Sequence, residues 1–554
     1  MSHAHAYRMR QEMDPIEAIP VCELLRRSAA RFPRRPAMSF MGRHWRYDEL
    51  AALVDRATAG LQRLGVQKGD RVGLCLPNTP YFVVFYYAAL QAGAIVVNFN
   101  PLYVVRELVH QIADSGTTTM IVPDLAAIYG KVAEAAATSG LARIVVCPMA
   151  GALPPAKALL WRTFKRRETA HPARGGGVTM YSDLIADHGP PTPVAIDPEA
   201  DLAVLQYTGG TTGVPKGAML THANLSINAM QVRHHMPSLV DGEERIMGVL
   251  PFFHVFAMTA VMNCGVALGA ELQLHPRFEI GAVMRALARD KPTVLHAVPT
   301  IYTAIAAAAE RHRIDISSVR ACISGGAPLP GEVRARFEKL TGARLVEGYG
   351  LTEASPVVAC NPPDATIKDG TVGVAMRKTQ IEIRALDAPH ALLPANARGE
   401  ICVRGPQVMR GYWQRPNETA AAFIEGALRT GDIGQLDEDG YLSVTDRLKD
   451  LIICGGYNVY PRTIEDALYQ HPSVAEAIVI GVPDAYRGQA PVAFVTLRPE
   501  HSATPEDLRT FLTSYISKIE LPREIEIRDT LPKTMIGKLS RKELVAEFAQ
   551  RDHS

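Results

Sequence analysis

The chain has 554 residues, of which 47% are hydrophobic and 21% charged, and its formal net charge is +2 at pH 7. This length is too great for one hydrophobic core, so several domains are expected. The composition is that of an ordinary globular protein, and the near-balanced charge argues against a nucleic-acid partner.

The N-terminal part of the chain alternates helical and strand-like patterns. Apolar residues recur at helical spacing over 51–64, and short β-rich runs follow at 71–76 and 94–97. Such alternation predicts an α/β fold with largely parallel sheets. Over 149–193 the alternating pattern is lost and proline, glycine and basic residues are frequent, which indicates a basic surface insertion.

The α/β rhythm resumes at residue 201 and continues to about 397. Closely spaced β-like runs with glycines between them predict a small barrel-like subdomain over 398–446. A last stretch of roughly 100 residues is long enough for a small α+β domain of its own.

The cysteines and the apolar segments indicate in which cellular compartment the protein is expected. Eight cysteines occur without any C-x-x-C spacing, as expected of reduced thiols in the cytoplasm. The N-terminus lacks the apolar run of a secretory signal. The apolar segments 81–97 and 255–270 are interrupted by polar residues and glycines, so each is predicted as a buried helix leading into a strand. We therefore expect a cytoplasmic chain that is not integral to a membrane.

The strongest local motif is a glycine-rich loop, Tyr207-Thr-Gly-Gly-Thr-Thr-Gly-Val-Pro-Lys-Gly217, between a predicted strand at 202–206 and a predicted helix capped by Thr221. Its glycines let the backbone approach an anion and its hydroxyls and lysine supply further contacts. These residues are Thr208, Gly209, Gly210, Thr211, Thr212, Gly213 and Lys216. The spacing does not fit a Walker A loop. The loop is therefore predicted to grip phosphate by another arrangement.

This loop resembles the signature loop of the adenylate-forming superfamily, which includes acyl-CoA synthetases, luciferases and peptide-synthetase adenylation domains. The resemblance implies that ATP is bound by residues from Tyr207 to Gly213 and by Lys216. Further motifs follow in the order typical of the superfamily and extend the resemblance from about residue 40 to 545.

Two of these motifs resemble the adenine and α-phosphate contacts of the superfamily. Ser324-Gly-Gly-Ala-Pro328 resembles the segment that packs against adenine, which implicates Gly325, Gly326, Ala327 and Pro328. Glu347-Gly-Tyr-Gly-Leu-Thr-Glu353 resembles the next segment, which implicates Glu347, Gly348, Tyr349 and Gly350. There Tyr349 is expected to stack on adenine, Thr352 to contact the α-phosphate, and Glu353 to hold Mg²⁺ together with Thr208. The residue types suit these roles: an aromatic face, a hydroxyl and a carboxylate.

The C-terminal motifs resemble the ribose site and the mobile domain of the superfamily. Asp432 and Arg447 match its ribose contacts, and Lys449 matches the position about which the small domain rotates. Gly455, Gly456 and Tyr457 match the loop that lines the coenzyme A channel, and Lys538 matches the lysine that closes on the carboxylate and α-phosphate. The domain prediction is therefore a large adenylation domain over 1–446, a hinge at 447–450 and a small domain over 451–554.

Within the superfamily the motifs at 98–103, 206–213 and 403–413 resemble bacterial long-chain fatty acid:CoA ligases. Two positions depart from the pattern: Met258 and Ala427 stand where tryptophan occurs in some members. Because of Met258, no rule for chain length is carried over. His254 lies in a motif near the expected acyl site, where it would orient the carboxylate; a buried structural histidine is the alternative.

The resemblance implies activation of a medium- or long-chain fatty acid with ATP and Mg²⁺, followed by transfer of the acyl group to CoA. Three alternatives remain open: an aryl or other carboxylic acid as substrate, a carrier protein or amine as acceptor, and a non-catalytic sensor. In the segment 157–167 a helix would place Leu160, Trp161 and Phe164 on one face with basic residues beside it, which favours peripheral contact with the inner face of a membrane. A solvated surface turn is its alternative. A homodimer is expected by analogy.

Overall fold

The computed structural model describes residues 15–186, 189–208, 215–365, 367–454, 457–484, 486–533 and 539–551. The chain forms two compact units. The first comprises Met1–Asp369, Gly373–Gln380 and Arg404–Phe423, and the second comprises Gly370–Val372, Ile381–Val403 and Ile424–Ser554. The segment 447–450 lies inside the second unit, and its role as a hinge stays a prediction.

The strands of the described residues are, in chain order, β1 (Pro36–Phe40), β2 (Arg43–Arg46), β3 (Arg71–Leu74), β4 (Ile95–Asn98), β5 (Thr119–Pro123), β6 (Arg143–Cys147), β7 (Val178–Met180), β8 (Leu202–Thr208), β9 (Lys216–Thr221), β10 (Arg245–Gly248), β11 (Glu271–Leu274), β12 (Val294–Ala297), β13 (Ala321–Gly325), β14 (Leu345–Gly350), β15 (Val357–Cys360), β16 (Val374–Ala375), β17 (Gln380–Arg384), β18 (Gly399–Arg404), β19 (Phe423–Ile424), β20 (Ala427–Leu436), β21 (Leu442–Arg447), β22 (Ile452–Cys454), β23 (Tyr457–Val459), β24 (Val474–Asp484), β25 (Gly488–Leu497) and β26 (Glu524–Ile527).

The α-helices of the described residues are Val21–Arg31, Tyr47–Arg63, Pro80–Gln91, Val105–Ser115, Ala126–Ser139, Pro155–Phe164, Tyr181–Leu184, His222–His235, Cys264–Ala267, Ile280–Arg289, Pro299–His312, Gly331–Thr341, Pro416–Ala422, Pro461–Tyr469, Pro505–Leu512 and Arg541–Arg551. Short 3₁₀ turns lie at Met149–Ala152, Arg166–Glu168, Thr352–Ala354 and Leu448–Asp450, and a π-helical segment lies at Ala257–Asn263. Over the described residues, none of the helices combines the length and apolarity needed to cross a bilayer.

The first unit contains two large sheets. One has seven strands in the order β7-β6-β5-β3-β4-β8-β9, and the other has nine in the order β16-β15-β14-β13-β12-β10-β11-β1-β2. The central strands pair in parallel, whereas β8 pairs antiparallel with β9 and β14 with β15. Strands such as β5 and β12 are buried along their whole length, as expected where helices cover both faces of a parallel sheet. The predicted α/β fold is confirmed.

The second unit contains two smaller sheets. Strands β17, β18, β20, β19 and β21 form one, in which β18 and β21 each pair antiparallel with β20. Strands β22 to β26 form the other, and three helices accompany it: Pro461–Tyr469, Pro505–Leu512 and Arg541–Arg551. A core of apolar residues from its strands and helices lies beneath this sheet. The predicted small β subdomain and C-terminal α+β domain are both present.

Two apolar runs and the 149–193 insertion had been predicted from the local sequence. The apolar run at 81–97 is the helix Pro80–Gln91, buried over nearly all its length, followed by β4, as predicted. The run at 255–270 is a π-helical and α-helical segment that leads into β11. The 149–193 insertion is more ordered than predicted, because β7 adds to the edge of the seven-stranded sheet. Periodicity missed this strand because it has only three residues.

Candidate functional site

The glycine-rich loop connects the two strands of a β-hairpin. In the hairpin Thr208 of β8 lies opposite Lys216 of β9, and the connecting residues 209–214 lie outside the described residues. The sequence predicted a helix after the loop with Thr221 at its cap, and the helix His222–His235 begins there; the strand β9 between the loop and this helix was not predicted. The predicted cap is confirmed, because the Thr221 hydroxyl accepts a hydrogen bond from the backbone N–H of Asn224 at 3.1 Å.

The first strand of this hairpin is held by two hydrogen bonds to Asp114, which we call the clamp. The Tyr207 phenol donates a hydrogen bond to Oδ2 of Asp114 at 2.6 Å, and Arg415 donates from Nη2 to Oδ1 of Asp114 at 2.8 Å. Burial and then the Asp114 carboxylate raise the pKa of Tyr207, so the phenol stays protonated and donates. The side chain of Tyr207 thus anchors the loop to the helix Val105–Ser115. Its predicted contact with nucleotide stays a prediction.

The two motifs assigned to adenine lie at the ends of neighbouring parallel strands. Gly325 at the end of β13 pairs with Gly348 of β14, and Ser324 pairs with Glu347. In open α/β sheets the carboxyl ends of parallel strands form the usual ligand crevice. Residues 326–328 follow β13, and residues 349–353 form the end of β14 and the turn after it; all of them are partly or fully exposed. The structure therefore brings the two motifs together at one edge of the nine-stranded sheet.

Close packing or backbone conformation favours glycine at three positions of these motifs. A Cβ on Gly350 would lie 2.1 Å from the carbonyl oxygen of Pro356. A Cβ on Gly325 would lie 3.1 Å from the ring of Phe256. Gly326 has φ +83°, in the left-handed region that favours glycine. These positions keep the backbone close to its neighbours around the strand ends.

Residues 404–415, which we call the strap, run beside β9 and reach Glu353. The backbone N–H of Arg410 donates to the carbonyl of Met219 at 3.0 Å, and that of Met219 donates to Gly411 at 2.9 Å. The N–H of Met409 donates to the carbonyl of Glu353 at 2.8 Å. The strap therefore joins the second strand of the glycine-loop hairpin to the residue expected to hold the metal.

Tyr412 of the strap contacts two of the predicted site residues. Its phenol donates a hydrogen bond to Oε1 of Glu353 at 2.8 Å, and the Lys216 ammonium lies 5.4 Å from the centre of its ring. Burial, followed by the Glu353 charge, raises the pKa of Tyr412, so the phenol remains a donor. Lys216 and Glu353, assigned to phosphate and to metal from the sequence, thus lie on either side of one tyrosine.

The residues around Glu353 fit a magnesium ion held mainly by the nucleotide. Within the described ranges, no group of three or more His, Cys, Asp or Glu side chains is arranged to hold a metal. Mg²⁺ is commonly bound through one or two carboxylates, with substrate phosphates and waters completing its octahedral shell. One carboxylate beside a phosphate-binding loop matches that donor set.

His254 lies near the glycine-loop hairpin because the residue before it, Phe253, is hydrogen-bonded to the first strand of that hairpin. Gln206 of β8 donates a hydrogen bond from Nε2 to the carbonyl of Phe253 at 2.9 Å. Asn78 holds the preceding turn, donating to the carbonyl of Leu250 at 2.7 Å and accepting from the N–H of Phe252 at 2.8 Å. The half-buried His254 is therefore near the end of β8, and its orienting role stays a prediction.

Met258, which stands where tryptophan occurs in some members of the superfamily, is fully buried. Its sulfur lies 3.3 Å from Nδ2 of Asn98, which also donates to Oε1 of Gln206 at 2.8 Å. Residues 98 and 206 belong to the motifs that resemble the fatty acid branch. The structure thus packs Met258 against the strands that carry those motifs.

The predicted ribose residues lie in the second unit. Asp432 and Arg447 face each other on β20 and β21, and Nε of Arg447 lies 3.2 Å from Oδ1 of Asp432. Lys449 lies in the 3₁₀ turn that follows, where burial lowers its pKa. Tyr457 is exposed at the start of β23. Gly455, Gly456 and Lys538 lie outside the described residues.

Sequence reasoning missed three residues that organise the site. Tyr412 and Arg415 lie in or next to the 403–413 motif, which was used only to identify the branch, and Asp114 lies in a helix without any motif. Their partners are 59 and 301 residues away in the chain. A signal existed only for Tyr412, because an aromatic residue with a polar tip inside a motif suggests a specific contact.

Two family models match the chain. The "AMP-binding enzyme" model covers residues 25–413, and the "AMP-binding enzyme C-terminal domain" model covers 463–538. Curated relatives include the long-chain-fatty-acid--CoA ligase of Bacillus subtilis, 41% identical over 96% of this chain and 95% of its own. The ligase of the same name from Salmonella typhimurium is 38% identical over the same shares.

A solved structure agrees with these matches. ATP-bound MatB from Rhodopseudomonas palustris superposes with a TM-score of 0.83 at 28% identity, over 95% of this chain and 99% of its own. The motifs, the paired sheets and the family models are thus mutually consistent over almost the whole chain. The predicted resemblance is confirmed, and the chain belongs to the AMP-binding enzyme family of adenylate-forming proteins.

Proposed function

We propose that this protein is an AMP-forming fatty acid:CoA ligase acting on medium- or long-chain acids. The observation that carries the proposal is the meeting of the glycine-loop hairpin, the ends of β13 and β14, and Glu353 in one unit. Those elements supply the phosphate, adenine and metal contacts that the first half-reaction needs. The names of the curated relatives support a fatty acid as the substrate and CoA as the acceptor.

In the first half-reaction a carboxylate oxygen of the fatty acid attacks the α-phosphorus of ATP. The bond from that phosphorus to the bridging oxygen breaks, and pyrophosphate leaves with the electron pair. Lys216 and the loop before it hold the leaving group, and Thr352 contacts the α-phosphate. His254 orients the carboxylate, which is already ionised at neutral pH and needs no base. Positioning and charge stabilisation are the main contributions of the protein in such a transfer.

Magnesium, when bound through the nucleotide, Glu353 and Thr208, offsets phosphate charge that would otherwise repel the carboxylate. Tyr349 stacks on adenine, and Asp432 and Arg447 hold the ribose hydroxyls. Lys538 adds positive charge beside the α-phosphate during this step.

In the second half-reaction the CoA sulfur attacks the acyl carbonyl carbon. The bond from that carbon to the phosphate oxygen breaks, AMP leaves with the electron pair, and the thiol proton passes to solvent. Gly455, Gly456 and Tyr457 line the path of the thiol. Because Lys538 and these residues serve different steps, the small domain rotates between the steps about Lys449.

The first experiment measures acid-dependent release of AMP and pyrophosphate from ATP and Mg²⁺, with and without CoA, over acids from acetate to oleate and several aromatic acids. AMP release that requires a medium or long fatty acid and CoA is the expected result. A preference for aromatic acids would overturn the proposed substrate. Pyrophosphate release that is indifferent to CoA would point to another acceptor, and no acid dependence would favour a sensor.

A second experiment separates the two half-reactions. We expect Lys538→Ala to abolish pyrophosphate release yet retain thioester formation from supplied acyl adenylate. Lys533→Ala is the matched control, because Lys533 lies in the same segment but pairs with Glu476 at 2.6 Å. Equal loss of both half-reactions in Lys538→Ala would contradict the role of that lysine.

We also propose that the helix Pro155–Phe164 contacts an anionic membrane surface. Its exposed side chains include Leu159 at 67%, Leu160, and Phe164 at 78%. The sequence placed Trp161 on this face, but Trp161 is half-buried and Leu159 takes its place, because the helix turns its tryptophan toward the protein. Basic side chains flank the apolar ones, and such a pattern suits the interface of an acidic bilayer.

A depression of about 600 Å³ adjoins this helix and is lined by Thr163, Phe164, Arg166, Arg167 and His171. Its two arginines provide bidentate donors for a lipid phosphate. We expect the protein to sediment with phosphatidylglycerol vesicles but not with phosphatidylcholine vesicles, and Phe164→Glu to abolish the binding. Leu392→Glu changes another exposed apolar residue, 61% exposed, elsewhere in the chain and is the control. Binding that survives Phe164→Glu, or that both substitutions weaken alike, would contradict the proposal.

Cytoplasmic location and a homodimer remain proposals as well. All eight cysteines are free, and seven of them are buried, which suits a reducing compartment. Analytical ultracentrifugation of the purified protein would decide between monomer and dimer. Fractionation of cells at low and high salt would separate a cytoplasmic protein from one held electrostatically at a membrane.

A further inference from the structure

Tyr412 contacts both Glu353 and Lys216, the charged groups proposed to hold the metal and the leaving pyrophosphate in the first half-reaction. The strap that carries it is fixed to β9 by backbone hydrogen bonds, including one from the N–H of Trp413 to the carbonyl of Gly217 at 2.8 Å. The same strap holds the backbone of Glu353 through Met409. Tyr412 therefore cannot shift without displacing either the hairpin or the turn that carries Glu353.

Each contact of Tyr412 has a physical consequence. The phenol donates to one carboxylate oxygen of Glu353, so it fixes the rotation of the carboxylate and the direction of its remaining lone pairs. Groups that hydrogen-bond to a metal ligand in this way commonly contribute 10- to 100-fold to metal affinity or activity. The face of the ring lies within about 6 Å of the Lys216 ammonium, a distance at which a cation is attracted to the ring.

We propose that Tyr412 is a positioning residue that holds Glu353 in the orientation needed for the nucleotide-bound metal and, through its ring, aligns Lys216 with the leaving pyrophosphate. The proposal rests on the proposed function. In this role the two parts of the Tyr412 side chain have different partners: the hydroxyl acts on Glu353 and the ring acts on Lys216.

The two halves can be separated by substitution. Tyr412→Phe removes the hydroxyl but keeps the ring beside Lys216, whereas Tyr412→Leu removes both. The control is Tyr81→Phe, because the Tyr81 phenol donates to the carbonyl of Pro148 at 2.8 Å in a buried setting away from these residues. The three variants therefore compare the loss of one hydroxyl at the site, one hydroxyl elsewhere, and the whole ring.

The first measurement is the binding of Mn²⁺, in place of Mg²⁺, to the full-length protein with α,β-methylene ATP, followed by electron paramagnetic resonance. We expect Tyr412→Phe to weaken Mn²⁺ binding about 10- to 100-fold, while Tyr81→Phe stays within twofold of the unsubstituted protein. Unchanged Mn²⁺ binding in Tyr412→Phe would overturn the proposal, and so would an equal loss in Tyr81→Phe, which would indicate a general structural effect.

The second measurement is pyrophosphate exchange into ATP, with thioester formation from supplied acyl adenylate assayed in parallel. Tyr412→Phe should need more Mg²⁺ for half-maximal exchange but retain its KM for pyrophosphate, whereas Tyr412→Leu should also raise that KM roughly three- to fivefold. Thioester formation should stay within twofold in both variants, because neither Lys216 nor the metal serves that step. A KM for pyrophosphate that rises equally in both variants would refute the role of the ring.

These results are distinguishable from failure of the proposed function. If the unsubstituted protein binds ATP and Mn²⁺ but activates no acid, the proposed function fails. The effect of Tyr412→Phe on Mn²⁺ binding can still be measured in that case, so the positioning role is tested independently.

Discussion

Asp114 offers a direct test of whether the clamp on β8 controls the glycine-rich loop. Its carboxylate, 11% exposed, accepts hydrogen bonds from Tyr207 and Arg415 on separate oxygens. Asp114→Asn keeps the shape but removes the charge, and the new amide N–H₂ faces one of the two donors. A hydrogen bond to a charged group contributes about 1.5–3 kcal/mol. We therefore expect a loss of about 2 kcal/mol, divided between folding stability and the alignment of the loop.

The assay is pyrophosphate exchange at saturating fatty acid with varied ATP. If half or more of the lost free energy comes from poorer alignment of the glycine-rich loop, kcat/KM for ATP drops about 5- to 30-fold, since 1.4 kcal/mol corresponds to tenfold. Thioester formation from supplied acyl adenylate should change less than twofold. Asp183→Asn is the matched control, because its pair with Arg174 at 3.3 Å is exposed and such pairs contribute about 0–1 kcal/mol. Exchange kinetics that are unchanged in Asp114→Asn would refute the clamp.

Two further predictions concern stability. Burial lowers the pKa of His222, His235 and His296 to about 4 each, so between pH 6.5 and 4 the unfolded chain binds more protons. The free energy of unfolding that is present above pH 6.5 is therefore lost on acidification, by about 2 kcal/mol per histidine at pH 5. An equal urea midpoint at pH 7 and pH 5 would contradict this prediction. We also expect His296→Gln to reduce the pH dependence. Gly350→Ala should lower the free energy of unfolding by about 3 kcal/mol, because the new Cβ meets a backbone oxygen. Gly331→Ala, whose Cβ meets no atom within 4 Å, should leave the urea midpoint nearly unchanged.

The sequence by itself determined the chemistry of this protein and its class of fold. Apolar residues at spacings of two and of 3.6 depend on local geometry, so the alternating strands and helices of the first unit were predictable. The Thr221 cap was predictable for the same reason, since its partner Asn224 is three residues away. The motif residues were assigned because they resemble motifs of the adenylate-forming superfamily, and each such motif is a short stretch of sequence that can be recognised without the fold.

Only the tertiary structure decided how those residues are supported. The glycine-rich loop proved to join two strands, and Tyr207 proved to be paired with Asp114, 93 residues away. Tyr412 meets Glu353 because the strap crosses beside β9, and no local pattern records that crossing. Contacts between distant segments depend on the packing of whole sheets, which periodicity does not encode. The sequence therefore named the groups that are proposed to do the chemistry, and packing decided which neighbours hold them in place.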